Sequence, residues 1–279
     1  MTTRKLYSEE LVQLSESLEE MGNLVEASLK NLFFSIENKD MQLAERIVAD
    51  DRNVNNLERS IEAQCLMLIT TQQPIAQDLR TVSSILKVVT DIERIGDHAS
   101  DIAELIQQMD HKQLERYSGH LQPMIAASRE MVHEAVSAFV ARDQKKANDV
   151  IASDDIIDKL FDKVKNDIVI HIKEDRSDAI ESLDALMLAK YLERIGDHAV
   201  NICEWEIFRE TGTIQNTKVF LSSIRLSTAI FTIPSQFFLI ILTLFQHIPH
   251  KSFLYCFSDK EKDQWFSINL CAEPFFPAD

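Results

Sequence analysis

This 279-residue sequence predicts an all-α fold: two homologous three-helix bundles side by side, followed by an atypical C-terminal extension. Three observations point there. Apolar residues recur every three or four positions through residues 8–209, the period of helices with one buried face. Glycine and proline are scarce, 5 and 6 in the whole chain, which argues against a turn-dense β-sandwich or barrel. The string IERIGDHA at 92–99 returns as LERIGDHA at 192–199, identical at seven of eight positions, and repetition at an offset of 100 marks a duplicated unit.

The first helix, near 8–37, carries Leu11, Leu14, Leu18, Met21, Val25, Leu29, Leu32 and Ile36 on one stripe. Asn38-Lys39-Asp40 breaks it, and Asp40 can cap a second helix near 40–70. Gln72-Gln73-Pro74 ends that helix, and a third runs near 76–107. The polar stretch 107–122, closed by Pro123, reads as a linker, so a fourth helix is expected near 121–142. Ala141-Arg142-Asp143 restarts the chain into a fifth helix near 143–173. A break around Glu174–Ser177 leads to a sixth near 177–209. Upstream of the repeated octapeptides, IVADD (47–51) answers IASDD (151–155) at an offset of 104, which a shorter connection in the second copy would explain. The expected units are residues 1–110 and 119–212.

Residues 213–279 differ. They hold 10 of the 15 Phe and 4 of the 6 Pro, no Gly and no Met, and they balance 5 basic against 5 acidic residues. The net charge of −16 therefore belongs to residues 1–212. Within the tail, LSTAIFTIPSQFFLIILTLFQ (226–246) carries no charge in 21 positions, long enough to span a bilayer. Three readings stay open: a membrane anchor, an additional buried or interface segment, or a read-through or frameshifted extension. The abrupt change in composition favours the last.

So acidic a chain is poorly suited to gripping nucleic-acid phosphates. Cysteines at 65, 203, 256 and 271 form neither a paired metal motif nor a disulfide framework, which fits a reducing cytoplasm. The N-terminus has no apolar secretory core.

The chemistry lies on the repeated strings. Glu93, Asp97, Asp101 and Glu104 fall within roughly 80° of one another on a helix surface. Glu193, Asp197, Asn201 and Glu204 repeat that spacing. Ile92, Ile95, Ala99, Ile102 and Ile106 occupy the opposite side, so the acids do not point into their own core. Like charges at i, i+4 repel by about 0.2–0.5 kcal/mol per pair. A duplicated ladder of them suits hard cations, which take several carboxylate oxygens, with carboxylate-bridged metals about 4 Å apart. The second and fifth helices offer Asp50, Asp51, Glu58 and Glu62, and Asp154, Asp155, Asp158 and Asp162, so a groove between adjacent helices is the expected location. A solvated acidic face on a helical scaffold that binds no metal is the alternative.

His98 and His198 read as packing or hydrogen-bonding residues that could also support the acids. Gly96 and Gly196 read as points of close helix approach, because mid-helix Gly otherwise costs about 1 kcal/mol. Cys65 and Cys203 read as small buried hydrophobes, Trp205 and Tyr191 as packing residues. A ferritin-like di-metal bundle needs two inward Glu-x-x-His pairs, and only Glu130-Met-Val-His133 occurs. No phosphate loop, nucleophile elbow or zinc spacing is present, so no enzyme activity is expected from the motifs.

DIERIGDHASDI and YLERIGDHAVNI, with QPIAQDLR at 73–80 and six helices in two halves, resemble the PhoU family over residues 8–210. The resemblance implies a cytoplasmic, commonly dimeric negative regulator of the phosphate-starvation response. Such a regulator connects a phosphate ABC transporter ATPase with a membrane sensor histidine kinase, and any membrane association is peripheral, through those partners. It also implies metal clusters, of iron, manganese, magnesium or zinc, on the acid motifs, which map to Glu93, Asp97 and Asp101 and to Glu193 and Asp197. Asn201 stands in the third place of the second copy. Asp78 and Arg80 match the family's DLR string, whereas the second half has Asp178-Ala179-Ile180.

Overall fold

Each apolar stripe finds a partner helix. The computed structural model describes residues 3–109, 111–174, 179–214 and 217–218. Its helices are α1 (Thr3–Asn38), α2 (Met41–Gln72), α3 (Gln77–Gln108), α4 (His111–Ala141), α5 (Gln144–Glu174) and α6 (Ala179–Thr211). After α6, β1 (Thr213–Ile214) pairs antiparallel with β2 (Thr217–Lys218) in a two-residue ladder.

The turns repeat as the helices do. Lys39 and Arg142 adopt left-handed backbone, with φ of 56° and 58°. The next residue caps the following helix in each case. The Asp40 carboxylate accepts the Leu43 N–H at 3.1 Å, and Asp143 accepts that of Lys146 at 3.0 Å. Both features align at an offset of 103, not the 104 suggested by IVADD and IASDD.

α4 departs most from expectation. It begins at His111 and carries Pro123 in its interior, so most of the expected linker is helical. Proline removes one backbone hydrogen bond and crowds the carbonyl four residues back, here that of Gly119. Tertiary packing overrides that cost. Tyr117 is 2% exposed and shares a 3.0 Å hydrogen bond with the Ser182 hydroxyl, while Leu121 and Met124 are fully buried.

α1–α3 and α4–α6 form the two bundles, and equivalent helices join them, α1 to α4 and α3 to α6. A Cβ on Gly22 would lie 2.7 Å from Val136 Cγ1, so α1 and α4 cross in contact only because residue 22 lacks a side chain. The buried apolar residues of both halves make one continuous cluster. Ile92, Ile95, Ala99, Ile102 and Ile106 are fully buried in it, as the stripe on the third helix predicts. The described residues belong to one compact unit. The uncharged stretch 226–246 lies outside the described residues. Among the described residues, no helix is long and apolar enough to cross a membrane.

Candidate metal centre

The first groove forms where α2 lies against α3. A Cβ on Gly96 would sit 3.2 Å from both Asp51 Oδ1 and Val54 Cγ1, so the glycine brings the acidic faces of the two helices together. On α3 the side chains grade from wall to rim: Glu93 is 14% exposed, Asp97 31% and Asp101 45%. Arg94 donates from Nη1 to Asp97 Oδ2 at 2.8 Å, and its Nε lies 3.5 Å from Glu93 Oε2.

On α2, Asn55 donates to Asp51 Oδ2 at 3.0 Å. Burial, then the charges of Glu93 and Glu62, pushes the Glu58 carboxyl up to about 7. Burial followed by the Asp97 charge also raises Asp51 and Glu93. Asp51 Oδ1, Asn55 Oδ1 and Glu93 Oε2 are buried and have no hydrogen-bond partner.

The second groove lies between α5 and α6. A Cβ on Gly196 would meet Ile157 Cδ1 at 3.0 Å and Asp154 Oδ1 at 3.4 Å. Asp154 and Ile157 therefore correspond to Asp51 and Val54, again at an offset of 103. Burial, then Asp158, Asp197 and Glu193, pushes Asp154 up to about 6. Burial, then Glu193, raises Asp197. Glu193 is paired with Lys190, and Arg194 Nη1 lies 3.9 Å from Asp197 Oδ2. Asp155, 79% exposed and 3.6 Å from Lys159, sits on the rim. Asp162 is paired with Lys165.

Other expected residues stand elsewhere. Asp50 is exposed on the opposite flank of the stripe formed by Ile47, Val54 and Ile61, about 100° around α2 from Asp51. Glu104 is exposed and Glu204 half-buried, one turn beyond the third acid position of each ladder. Asp78 and Arg80 occupy the start of α3, with Asp78 roughly 22 Å along the helix from Glu93. There the Asp78 carbonyl accepts the Tyr7 hydroxyl at 3.2 Å, and Arg80 Nε donates to the Arg209 carbonyl at 3.3 Å. His133 is 52% exposed and lies 3.0 Å from Glu26, so the Glu130-x-x-His133 string does not enter the core.

The histidines meet at the α3–α6 seam. The rings of His98 and His198 are 5.5 Å apart, and His98 also lies 5.4 Å from the Tyr191 ring. His198 Nδ1 is 2.8 Å from Asp91 Oδ1, and Asn201 Nδ2 donates to the same oxygen at 3.1 Å. Burial, then His198, lowers the pKa of His98. Asp91 is a residue that the spacing of acids alone misses, because its counterpart at an offset of 100 is Tyr191. Lys190 is another. It was visible in the sequence as the one cation just upstream of the repeated string, where the first copy has Thr90. Cys65 and Cys203 are fully buried, with thiols pushed up to about 12 by burial.

The carboxylates line grooves rather than meeting at one point. Among the described residues, no group of three or more His, Cys, Asp or Glu side chains forms a ready-made metal cage.

A PhoU domain model matches residues 18–106 and again 121–205. A phosphate-specific transport system accessory protein PhoU homolog of Clostridium acetobutylicum is 34% identical over 211 residues, covering 75% of this chain and 96% of that protein. The phosphate-specific transport system accessory protein PhoU of Escherichia coli K12 is 30% identical over 213 residues, 74% of this chain and 86% of that one. The crystal structure of PhoU from Pseudomonas aeruginosa is similar with a TM-score of 0.67 at 31% identity, over 74% of this chain and 100% of the other. That of the phosphate transport system regulatory protein PhoU from Streptococcus pneumoniae gives 0.69 at 30% identity, over 75% and 98%.

Proposed function

The chain belongs to the PhoU family, and on that premise we propose that it is a cytoplasmic, dimeric accessory regulator of phosphate-specific transport. In this reading it restrains phosphate uptake and starvation signalling by linking the transporter's ATPase to a sensor histidine kinase. Metal ions held along its acidic grooves are the working groups of that contact.

One observation supports the metal reading above the rest. Three oxygens in the α2–α3 groove are buried without a hydrogen-bond partner, two of them on carboxylates whose pKa burial raises, and of these Glu93 Oε2 has the Arg94 guanidinium 3.5 Å away. Buried polar groups are ordinarily paired, and a buried charge without compensation is costly. A hard cation would take these oxygens and supply the opposite charge. Asp51, Glu58, Glu93 and Asp97 would hold it in the first groove, with Asp101 at the rim. In the second groove Asp154, Glu193 and Asp197 are the counterparts of Asp51, Glu93 and Asp97, and Asp158, at the place of Asn55, would be the fourth group. An all-oxygen donor set suits magnesium, manganese or iron better than zinc.

The cations would also change what the surface can recognise. A face of a chain with net charge −16 repels phosphate and anionic partners, and bound divalent ions invert the local field. Calorimetry on the full chain tests this. Phosphate should bind at least about tenfold more tightly to the manganese-loaded protein than after chelation. Equal affinity in both states removes the role assigned to the metal.

A further inference from the structure

The two grooves share a backbone frame but not a charge balance. The glycine contacts and the αL-cap turns align α2 on α5 at an offset of 103, while the octapeptides align α3 on α6 at 100. In that register Phe161 stands where the first groove has Glu58, and Lys165 where it has Glu62. Lys190 stands where it has Thr90, and Asn201 where it has Asp101. Each of these four changes replaces an oxygen donor or small hydroxyl with an apolar, cationic or neutral group; in the other direction, Asp158 stands where the first groove has Asn55.

These replacements act on one another. Lys190 Nζ is ion-paired with Glu193 and lies 5.4 Å from the centre of the Phe161 ring. Lys165 Nζ lies 5.7 Å from the same ring, on which both cations can be held by the aromatic face. The first groove sets six carboxylates (Asp51, Glu58, Glu62, Glu93, Asp97, Asp101) against Arg94. The second sets four (Asp154, Asp158, Glu193, Asp197) against Arg194 and Lys190, while Lys165 is taken by Asp162. Among the described residues, none of the second groove's four carboxylates has a buried oxygen without a hydrogen-bond partner, whereas the first groove has three such oxygens on Asp51, Asn55 and Glu93.

We propose that the α5–α6 groove carries its own cation in Lys190, and that this ammonium, seated on Glu193 and Phe161, excludes metal from the second groove while the first groove loads. The inference rests on the reading that the first groove binds metal. It makes the protein an asymmetric metal carrier in spite of its duplicated motif. Lys190 sets the asymmetry by electrostatics: a tethered positive charge in contact with a would-be ligand repels an incoming divalent ion and occupies one of its oxygens.

The test is manganese stoichiometry on the full chain, purified without a metal column, read by elemental analysis and calorimetry. Asp97→Ala should remove most of the bound manganese and Asp197→Ala almost none. Lys190→Thr, which installs the residue of the first copy, should create additional binding, about tenfold tighter than the wild-type second groove, that Asp197→Ala then abolishes. Lys190→Gln, which keeps the length and loses the charge, should do the same. Thr90→Lys should weaken loading of the first groove. Circular dichroism on each variant should show unchanged helix content. Equal losses from Asp97→Ala and Asp197→Ala in the wild-type background, or no gain in either Lys190 variant, would overturn the proposal and leave the metal reading standing. A chain that takes up no manganese in any variant overturns both.

Discussion

At the end of α3, Ile106 and Met109 close the first bundle with buried apolar contacts, and at the same places on α6 the second bundle has Glu206 and Arg209. Both are as buried as their counterparts, at 0% and 3% exposure. The pair is in ionic contact without a directed hydrogen bond to either glutamate oxygen. Arg209 also donates to the Phe139 carbonyl at 2.7 Å and stacks 4.3 Å from the Phe139 ring. An apolar pair has exchanged for an ionic one, although Met109 is the extended residue that ends α3 while Arg209 lies inside α6, which runs on to Thr211. The grooves show the same thing with Thr90 and Lys190. Duplication preserves what the helix axes need, namely small residues at crossings, apolar spacing and capped turns. It leaves charges free to be rewritten wherever two residues can change together.

The ion pair offers the sharpest way to break this comparison. Arg209→Met, which copies the first half at one position only, should cost about 3–5 kcal/mol because it strands a buried carboxyl. Adding Glu206→Ile, which copies both positions, should bring stability back toward wild type. Denaturant unfolding of both variants measures this, and a double variant no more stable than the single one would show that the halves are not interchangeable there.

Next in size are the helix crossings, where the halves should behave alike. Gly96→Val and Gly196→Val each place methyl groups against the neighbouring helix and should each cost about 1–3 kcal/mol. Unequal costs, measured by the same unfolding experiment, would mean that the two crossings are less similar than their glycines indicate.

The smallest effect distinguishes the grooves by pH. Glu58 rises from an ordinary 4.5 to about 7 on folding, and its counterpart Phe161 cannot titrate. Between these values the folded state binds more protons than the unfolded one. This contribution is therefore most favourable below pH 4.5, falls as pH rises through the window, and is constant above about 7. Because Glu58 is only partly buried, the drop is about 1 kcal/mol after allowance for solvent screening. Glu58→Gln should remove that slope from the metal-free protein's stability profile, and an unchanged slope would assign the titration to other groups.

How much could be read beforehand follows from the range of each interaction. The helix stripes, the Asp40 cap and the burial of Cys65 and Cys203 depend on residues a few positions apart, and the octapeptides showed the duplication directly. The start of α4 was misplaced because Pro123 is a local helix-breaking signal, whereas Tyr117 and Leu121 answer to packing, including a bond from Tyr117 to Ser182, 65 residues away. The α2–α5 register came out one residue off because letter matching followed IVADD and IASDD. The physical anchors are the partners of Gly96 and Gly196 on another helix.

By itself the sequence determined the helices, their number, their buried faces, the repeat and the α3 and α6 ladders, because helical periodicity and identity between copies are properties of the chain alone. Only the tertiary structure decided which acids face those ladders and which buried oxygens are left without a hydrogen-bond partner. Those are relations between helices, and their strength comes from desolvation that exists only once α2 closes on α3 and α5 on α6.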